Sequence, residues 1–224
     1  MLQVEGVSRK YGKKQVLRDI SFTASQGEII AIAGANGCGK STLLSILAGT
    51  LLPDSGSFTA FGKDLFRNPK ERERLIGYVP QENPLIPELT AKDNLKLWYA
   101  DSRYDLSEEL AGGVLKLLGI PEFLNVRVDR MSGGMKKRLS IGCAVAMDPP
   151  VLILDEPSAA LDLVCKDDIR RYLEDFRSRK GIVLITTHDE DELRICDRVL
   201  VMKEGILSEA PKGTHGEALL NLIR

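Results

Sequence analysis

Residues 34–41 read G-A-N-G-C-G-K-S; they follow an apolar run at residues 28–33 and open a helical pattern at residues 40–49. They fit G-x-x-x-x-G-K-[S/T], a pattern in which glycines let successive backbone N–H groups turn inward around a polyphosphate. A Cβ atom at these glycines would obstruct that conformation, and the positive end of the following helix adds to the attraction for phosphate. The stretch therefore predicts a buried strand, a phosphate-binding loop and a helix, in that order.

The side chains of this loop have separate predicted tasks. Lys40 supplies a mobile cation for the outer phosphates, and the Ser41 hydroxyl is a candidate ligand of Mg²⁺. Cys38 lies beside the helix terminus and Lys40, which favour a thiolate, and the alternative is a thiol turned into the core. The residues of this segment predicted to bind a nucleotide are Gly34, Ala35, Asn36, Gly37, Cys38, Gly39, Lys40, Ser41 and Thr42.

A second pattern, V-L-I-L-D-E at residues 151–156, is an apolar strand that ends in two carboxylates. Such a strand can direct Asp155 toward Mg²⁺ and Glu156 toward an attacking water, and the alternative is a buried strand that ends in solvated acids. His188 follows the next apolar run, on the side of a parallel sheet where ligands bind. This position favours a γ-phosphate contact over a structural role.

Strand-like and helical patterns alternate along the whole chain. Apolar runs without alternation, separated by helices, indicate a parallel sheet covered on both faces. The pattern changes to helices in the middle of the chain, where Thr90 is a candidate helix N-cap. We therefore predict an α/β fold in one domain over residues 1–224, with a core of residues 1–88 and 148–224 and a helical insertion at residues 89–147.

Three element boundaries follow from local signals. A strand over residues 75–81 ends at Gln81, because the prolines around that position prevent a longer one. A helical stretch covers residues 106–119, and an amphipathic helix covers residues 163–179.

Composition and charge limit the possible functions. The 224 residues carry 31 basic and 32 acidic side chains, a formal net charge of −1, which argues against a nucleic-acid partner. The longest run without charged side chains, residues 41–53, is shorter than the roughly 18 to 20 residues that span a bilayer. Glu5 interrupts the region where a signal peptide would be apolar. The four cysteines are too far apart for a zinc site, so we expect a cytosolic chain with reduced, mostly buried cysteines.

Residues 131–135 read M-S-G-G-M, lie between Gln81 and Asp155, and open a helical pattern. This stretch resembles the L-S-G-G-Q signature of the ATP-binding subunits of ATP-binding cassette (ABC) transporters. Together with the two patterns above, in this order, the resemblance covers essentially the whole chain. It implies a P-loop NTPase core with a mainly parallel sheet, an N-terminal antiparallel β subdomain and a helical insertion. Ser132 and the glycine N–H groups at a helix N-terminus are also a physically credible anion site.

The resemblance assigns roles to further residues. Tyr11 corresponds to an aromatic residue that stacks on adenine, with Val16 beside it; the alternative is a plain turn tyrosine. Gln81 corresponds to a glutamine that senses Mg²⁺ and joins the insertion to the core. Residues 158–162, S-A-A-L-D, correspond to a loop that crosses a dimer seam, and a plain helix N-terminus is an alternative that can hold at the same time. For catalysis the resemblance implies Glu156, His188 and Gln81, and for Mg²⁺ it implies Ser41, Gln81 and Asp155. The residues implied to contact the ATP of a partner subunit are Ser132, Gly133 and Gly134, and Asp162 is implied at the dimer seam.

The resemblance also implies a function. It implies an ATPase that uses ATP and Mg²⁺ and forms a head-to-tail dimer around two ATP, with a second copy of itself or a homologous ATPase subunit. A separate integral membrane permease would be the other partner, so the protein would be cytoplasmic and peripheral on the inner face of the cell membrane. The alternative is a soluble ABC-type ATPase with a regulatory or translation-related role.

Departures from the family pattern refine this expectation. Met135 replaces the usual glutamine, which removes a polar contact expected near the partner's nucleotide, and Met131 replaces leucine at nearly equal volume. The wording M-S-G-G-M-K-K-R-L-S is closer to exporter subunits than to nutrient-importer subunits. Trp98 and Tyr99 in the helical insertion are candidates either for contacts with the permease or for the core.

Overall fold

Two β-sheets and the helices around them make up the part of the chain that the computed structural model describes, residues 1–159 and 161–223. The strands are β1 (Leu2–Tyr11), β2 (Lys14–Ala24), β3 (Glu28–Ala33), β4 (Ser55–Ala60), β5 (Lys63–Asp64), β6 (Ile76–Val79), β7 (Val151–Asp155), β8 (Ile182–Thr186), β9 (Arg198–Lys203) and β10 (Ile206–Glu209). The α-helices are α1 (Lys40–Ala48), α2 (Pro69–Leu75), α3 (Ala91–Trp98), α4 (Leu106–Ala111), α5 (Val114–Leu117), α6 (Gly133–Ala144), α7 (Leu163–Ser178), α8 (Glu190–Ile195) and α9 (Gly216–Ile223). Short 3₁₀ helices lie at Ile120–Phe123 and Val128–Arg130.

The larger sheet has the order β10-β9-β3-β8-β7-β6 and is parallel except for β10 at its edge. Strands β3, β7 and β8 are buried almost throughout, as their unalternated apolar sequences predict. Ile32 and Asp155 both pair with Thr186, so the carboxyl ends of these three strands lie level. The loops that follow the strands therefore emerge together at one edge, where parallel sheets bind ligands.

The smaller sheet is antiparallel, with the order β2-β1-β4-β5, and it confirms the expected antiparallel β subdomain. Its first hairpin turns between Tyr11 and Lys14, which pair across the strands. Buried residues of this sheet, of α1 and of the larger sheet share one hydrophobic cluster, to which Phe58, Leu44 and Ile30 belong. This shared cluster fixes α1, and with it the preceding loop, relative to both sheets.

Helices α3 to α6 contribute to a second hydrophobic cluster. Leu95 and Ile141 from these helices belong to it together with Leu154 of β7 and Tyr172 of α7. Thr90 caps α3 as predicted, because its side chain accepts a hydrogen bond from a backbone N–H of the first turn. From this grouping we propose that these helices constitute the helical insertion, and that the residues before and after them form the core.

Two predicted elements end differently from the expectation. Strand β6 ends at Val79 rather than Gln81, because Pro80 has no N–H to continue the ladder. The helical stretch predicted at residues 106–119 is two helices, α4 and α5, which are separated by Gly112 and Gly113. Two adjacent glycines carry a high entropic cost in a helix interior, so the break falls there.

Other local predictions agree more closely with the structure. Helix α7 covers Leu163–Ser178, within one residue of the amphipathic helix predicted from residue 163 to 179. Residue Ala160, part of the predicted seam loop, lies outside the described residues. Within the described residues, no helix combines the length and the apolar character that crossing a membrane requires.

Candidate functional site

The loop between β3 and α1 forms a cradle that only glycine permits at its tightest points. A Cβ atom at Gly34 would lie 2.4 Å from the Met202 carbonyl oxygen and 2.8 Å from the Cys38 sulfur, so no side chain fits there. Gly37 and Gly39 have φ angles of +76° and +117°, in the left-handed region that favours glycine. The loop therefore has the backbone shape that the sequence predicts for a phosphate cradle.

The start of α1 offers positive charge to this cradle. The helix begins at Lys40, directly after Gly39, and its first turn carries no acidic side chain. Its dipole and first N–H groups therefore favour an anion. The Lys40 ammonium, in a residue only 5% exposed, donates hydrogen bonds to the carbonyl oxygens of Gly34 at 2.7 Å and Ala35 at 3.2 Å. Because an ammonium has three donors, Lys40 can span the loop and still donate to a phosphate oxygen.

A cleft of about 450 Å³ opens on this loop, and its volume is within the range of ligand pockets. Its walls bring together the expected base contacts, most of the loop and two predicted catalytic residues: Tyr11, Val16, Asn36, Gly37, Gly39, Lys40, Ser41, Thr42, Gln81 and Glu156. Gly34, Ala35 and Cys38 belong to the loop but do not line the cleft. The predicted nucleotide site is therefore one continuous surface in this chain.

Tyr11 stands at the exposed end of the cleft. Its side chain is accessible, at 48% exposure, and the Arg9 guanidinium lies over the ring at 5.2 Å from its centre. Arg9 is itself held by Asp54, with 2.8 Å between Nη1 and Oδ1. Val16 is half-buried and packs against the cluster beneath α1. An aromatic ring fixed in this way suits stacking on a flat heterocycle.

Cys38 differs from its expected role. Its side chain is half-buried and packs against the hydrophobic cluster beneath α1, on the inner side of the loop. The thiol is therefore turned toward the core, which is the alternative that the sequence left open. Cys143 and Cys165 are buried, and Cys196 is half-buried with its thiol donating to the Glu192 carbonyl oxygen.

One threonine fixes both carboxylate-bearing residues at the end of β7. The Thr186 hydroxyl donates to Asp155 Oδ1 at 2.5 Å and accepts from the Glu156 N–H at 2.9 Å. The Glu156 N–H also donates to the Thr186 carbonyl oxygen at 3.1 Å. Asp155 and Thr186 are buried, at 2% and 0% exposure. Sequence reasoning missed Thr186, because only the pairing register of β7 and β8 brings it beside Asp155.

The Glu156 side chain lies between the two other predicted catalytic residues. Gln81 Nε2 donates to Glu156 Oε2 at 3.2 Å, and His188 Nε2 lies 3.8 Å from Glu156 Oε1. Gln81 and His188 are exposed, whereas Glu156 is half-buried. These three residues follow three different strands, β6, β7 and β8, and converge at the edge of the cleft. The Glu156 carboxylate therefore lies on the wall of the cleft, and a carboxylate is one of the groups that can act as a general base.

A network of buried hydrogen bonds lies beside the segment that carries His188. The Glu192 carboxylate accepts hydrogen bonds from the hydroxyls of Ser158 and Thr187, and the residue is only 4% exposed. Burial raises the pKa of the Glu192 carboxyl, and the two hydroxyl donors oppose that rise. The Thr187 hydroxyl also accepts from the Asp189 N–H at 2.9 Å. The backbone on both sides of His188 is therefore anchored by Thr187 and Glu192, to which no motif assigned a role, and by Ser158 of the predicted seam loop.

The signature residues lie outside the cleft of their own chain. Ser132 caps α6, with its Oγ accepting from the Met135 N–H at 3.2 Å, and Ser132 and Gly133 are exposed. Gly134 packs so closely on α7 that a Cβ there would lie 2.8 Å from the Cys165 sulfur. Asp162 caps α7 through the Cys165 N–H at 2.9 Å, as the plain-helix alternative expected. An exposed helix N-terminus beside the Asp162 cap forms a second surface suited to an anion from outside the chain.

The two aromatic candidates of the insertion have different environments. Tyr99 is 7% exposed and belongs to the core, whereas Trp98 is 43% exposed. Trp98, Leu97 and Met147 line a groove of about 450 Å³, together with Lys70, Glu73, Arg74 and Asp101. Trp98 therefore remains available at the surface, and Tyr99 does not.

The residues of the cleft fit a nucleotide and its metal ion. The glycine cradle, the N-terminus of α1 and Lys40 all favour a polyphosphate over a neutral ligand. Ser41 and Gln81 line the cleft and offer hydroxyl and amide oxygens, and Asp155, a carboxylate buried at the end of β7, does not line it. These are the ligand types that Mg²⁺ prefers. The site thus meets the chemical requirements of Mg-ATP.

Comparison with known proteins identifies a matching family and related sequences. The family described as "ABC transporter" matches residues 17–159 of this chain. The linearmycin resistance ATP-binding protein LnrL of Bacillus subtilis is 35% identical over 92% of this chain and 67% of its own length. A spermidine/putrescine import ATP-binding protein PotA of Spiroplasma citri is 35% identical over 97% of this chain and 62% of its own. The Nod factor export ATP-binding protein I of Rhizobium etli is 35% identical over 89% of this chain and 64% of its own. The chain thus spans about two thirds of the length of these relatives.

Solved structures agree with these sequence relatives. The dimeric post-hydrolysis state of the ATP-binding cassette MJ0796, bound to ADP and Pi, has a TM-score of 0.82 and 29% identity, covering 94% of this chain and 98% of its own. A second structure, an ATP-binding subunit of an ABC transporter, has a TM-score of 0.87 and 26% identity over the full length of both chains. With the family match covering more than half of its residues, the chain belongs to the ABC transporter family, as an ATP-binding ATPase subunit that uses Mg²⁺.

Proposed function

We propose that this chain binds and hydrolyses ATP as half of a head-to-tail dimer and thereby drives a separate membrane permease. The observation that carries the proposal is that Gln81 and Glu156 line the cleft beside the phosphate loop, with 3.2 Å between Gln81 Nε2 and Glu156 Oε2, and that His188 Nε2 lies 3.8 Å from Glu156 Oε1. A water that attacks the terminal phosphate needs a general base at this place. Membership of the family does not by itself place a carboxylate at this position, so the location of Glu156 supports the proposal independently.

The binding roles follow from the walls of the cleft. Tyr11 and Val16 hold the base, and residues 34–42 hold the phosphates through backbone N–H groups and the Lys40 ammonium. Ser41, Gln81 and Asp155 would hold Mg²⁺, which neutralises charge on the outer phosphates when it is bound. Thr186 keeps the buried Asp155 carboxylate oriented toward that position.

The catalytic roles follow from the carboxylate edge. Glu156 accepts a proton from the attacking water, and Gln81 orients the Glu156 carboxylate through its amide. His188, whose Nε2 lies 3.8 Å from Glu156 Oε1, donates to the γ-phosphate. Each of these roles uses an atom already within 4 Å of Glu156.

The dimer role rests on the second surface. Ser132, Gly133 and Gly134 receive the ATP of the opposite subunit, a second copy or a homologous ATPase subunit, and Asp162 lies at the seam. Leu163 and Val164 support this arrangement, because they are 81% and 73% exposed directly after Asp162. Two apolar side chains that protrude at one helix start are suited to burial against a partner.

The permease role rests on the insertion. The Trp98, Leu97 and Met147 groove offers apolar contact with charged residues at its border, a composition typical of protein interfaces. If the permease docks at this groove, the protein is cytoplasmic and peripheral on the inner face of the membrane. We propose no nucleic acid as a partner. Co-purification of the untagged permease from solubilised native membranes, and its loss in Trp98→Asp, tests this assignment.

We propose export as the direction of transport. Its support is the M-S-G-G-M signature wording and the relatives whose names state export, whereas the PotA relatives are named as importers at equal identity. The alternative of a soluble ATPase with a regulatory or translation-related role has no structural observation in its favour. Vesicles reconstituted with the co-purified permease would decide the direction.

The central test is the mass of Glu156→Gln. This change keeps the size of the side chain and removes its basicity, so hydrolysis should fall at least about 100-fold while ATP still binds. Unhydrolysed ATP then acts as a ligand of the dimer and shifts association by mass action. Light scattering should give a monomer without nucleotide or with ADP and a dimer with ATP, and adding Ser132→Arg should abolish the dimer. A mass that does not respond to ATP would contradict the proposal.

A further inference from the structure

A lysine in the signature helix is buried without a carboxylate partner in contact. Lys137 lies in α6, five residues after Ser132, and is only 4% exposed. Its Nζ donates to the carbonyl oxygens of Pro80 at 3.1 Å and Gln81 at 3.2 Å. Within residues 1–159 and 161–223, no carboxylate oxygen comes within salt-bridge distance of this ammonium. The cation is therefore held mainly by two neutral backbone acceptors.

Burying an ammonium in this way is energetically unfavourable. Removing it from water is costly, and an apolar side chain of similar volume would avoid that cost but would leave the two carbonyl oxygens without this donor. Burial lowers the pKa of Lys137, and the charges of Asp155, Glu156 and Glu192 act in the opposite direction. The arrangement thus stabilises the fold less than an apolar residue could, and its benefit lies in the segment that it holds.

That segment leads directly to the proposed catalytic base. Pro80 and Gln81 follow β6, and the side chain of Gln81 donates to Glu156 Oε2 at 3.2 Å. A continuous series of hydrogen bonds therefore runs from Lys137 through the Gln81 backbone to its amide and on to Glu156. The N-terminus of the same helix is capped by the exposed Ser132, which lies about 7.5 Å from Lys137 along the helix axis at 1.5 Å per residue.

We propose that Lys137 is a positioning residue that couples the Ser132 end of α6 to the Gln81–Glu156 pair. When the partner's nucleotide settles on Ser132, α6 moves as a rigid body, and Lys137 carries that displacement to the Gln81 backbone. The Gln81 amide and the Glu156 carboxylate, which are already paired in the single chain, then shift together with α6, which links hydrolysis to dimer formation. This inference rests on the proposed function, because it takes the anion at Ser132 to be the partner's ATP.

The first test replaces the ammonium by a neutral side chain of similar length. We expect Lys137→Met to lower kcat about tenfold or more and to leave the KM for ATP within about twofold, since Lys137 itself does not line the cleft and the phosphate loop is unchanged. Lys116→Met is the matched control, because Lys116 is exposed on α5 of the same helical region, and it should leave both constants unchanged. Wild-type kcat in Lys137→Met would overturn the inference.

A double-mutant cycle separates positioning from a general structural role. If Lys137 acts through Gln81, the double variant Lys137→Met/Gln81→Ala should be no slower than Gln81→Ala alone, within about twofold. Multiplicative losses in kcat would show that Lys137 acts elsewhere and would overturn the inference. If the methionine variant does not fold, Lys137→Gln, which keeps two amide N–H donors without the charge, is carried through the same cycle with the same two readings.

Light scattering distinguishes this inference from the proposed function. In the Glu156→Gln background, adding Lys137→Met should still permit the ATP-dependent dimer, because Ser132 is intact. If Glu156→Gln alone fails to dimerise, the proposed function fails, and the inference fails with it. If the dimer forms and the cycle is multiplicative, only the inference about Lys137 is overturned.

Discussion

Replacing Thr186 with valine tests whether one buried hydroxyl holds the two carboxylate-bearing residues in place. Thr186 is fully buried, and its Oγ1 donates to Asp155 at 2.5 Å and accepts from the Glu156 N–H at 2.9 Å. Valine has nearly the same shape, so the substitution removes the hydroxyl and disturbs the packing of β8 little. The expected effects are a loss of stability and a larger loss of turnover.

The two hydrogen bonds of the Thr186 hydroxyl contribute differently to the free energy of unfolding. The Glu156 N–H retains its bond to the Thr186 carbonyl oxygen at 3.1 Å, so losing the hydroxyl costs it little. Asp155 is 2% exposed and loses a hydrogen bond to a charged acceptor, which is worth about 1.5–3 kcal/mol. We therefore expect the free energy of unfolding to fall by about 2 kcal/mol and the melting temperature by roughly 4–8 °C. Because misplacing a catalytic group by about 1 Å costs up to 10²-fold, kcat should fall by about 10- to 100-fold.

Urea unfolding followed by circular dichroism measures the first effect, and phosphate release measures the second. Thr186→Ser is the matched variant, since it keeps the hydroxyl and loses only a methyl group; it should retain most of the turnover. Equal losses of kcat in the serine and valine variants would assign the effect to methyl packing. Wild-type kcat in Thr186→Val would refute the reasoning that this hydroxyl organises the site.

The remaining predictions concern His188 and Cys38. His188→Ala should reduce ATP hydrolysis and leave the affinities for ATP and ADP close to those of the wild type, because only a γ-phosphate contact is lost. Phosphate release measures the hydrolysis, and isothermal titration measures the two affinities. A parallel fall in both affinities would instead indicate a structural histidine. Because the Cys38 thiol packs against the cluster beneath α1, maleimide should label it slowly in the folded protein and fully in urea, as followed by mass spectrometry. Rapid labelling of Cys38 that ATP blocks, and that Cys38→Ala abolishes, would instead establish an accessible thiolate.

The parts of the site that the sequence predicted are those encoded within a few consecutive residues. The phosphate loop depends on glycines that accept positive φ angles and close contacts, and Gly34 and Gly39 meet those demands locally. The apolar runs of β3, β7 and β8 likewise predicted a buried parallel sheet, and its carboxyl edge then predicted where Asp155, Glu156 and His188 emerge.

The parts of the site that the sequence did not predict depend on contacts between residues that are far apart in the chain. The Lys137 bond to the Gln81 backbone joins residues 56 positions apart, and the Thr186 bond to Asp155 joins residues 31 apart. A lysine in the middle of a helix gives no local sign that it is buried, since lysine is among the residues most often exposed. Helices α2 and α8 were not predicted because they are short, polar and rich in charge, and so show no apolar period.

The backbone of Glu156 shows why such long-range bonds matter for catalysis. Glu156 has a φ of +46°, a left-handed conformation that costs a residue with a side chain about 1–2 kcal/mol. The Glu156 N–H is shared between the carbonyl oxygen and the hydroxyl of Thr186, and this shared hydrogen bond offsets about 1 kcal/mol of that cost. The resulting turn ends β7 abruptly and directs the carboxylate toward Gln81 and His188 rather than along the strand. Glycine would adopt the turn without strain but would supply no carboxylate, so the strained backbone fits the proposed role of Glu156 as the general base.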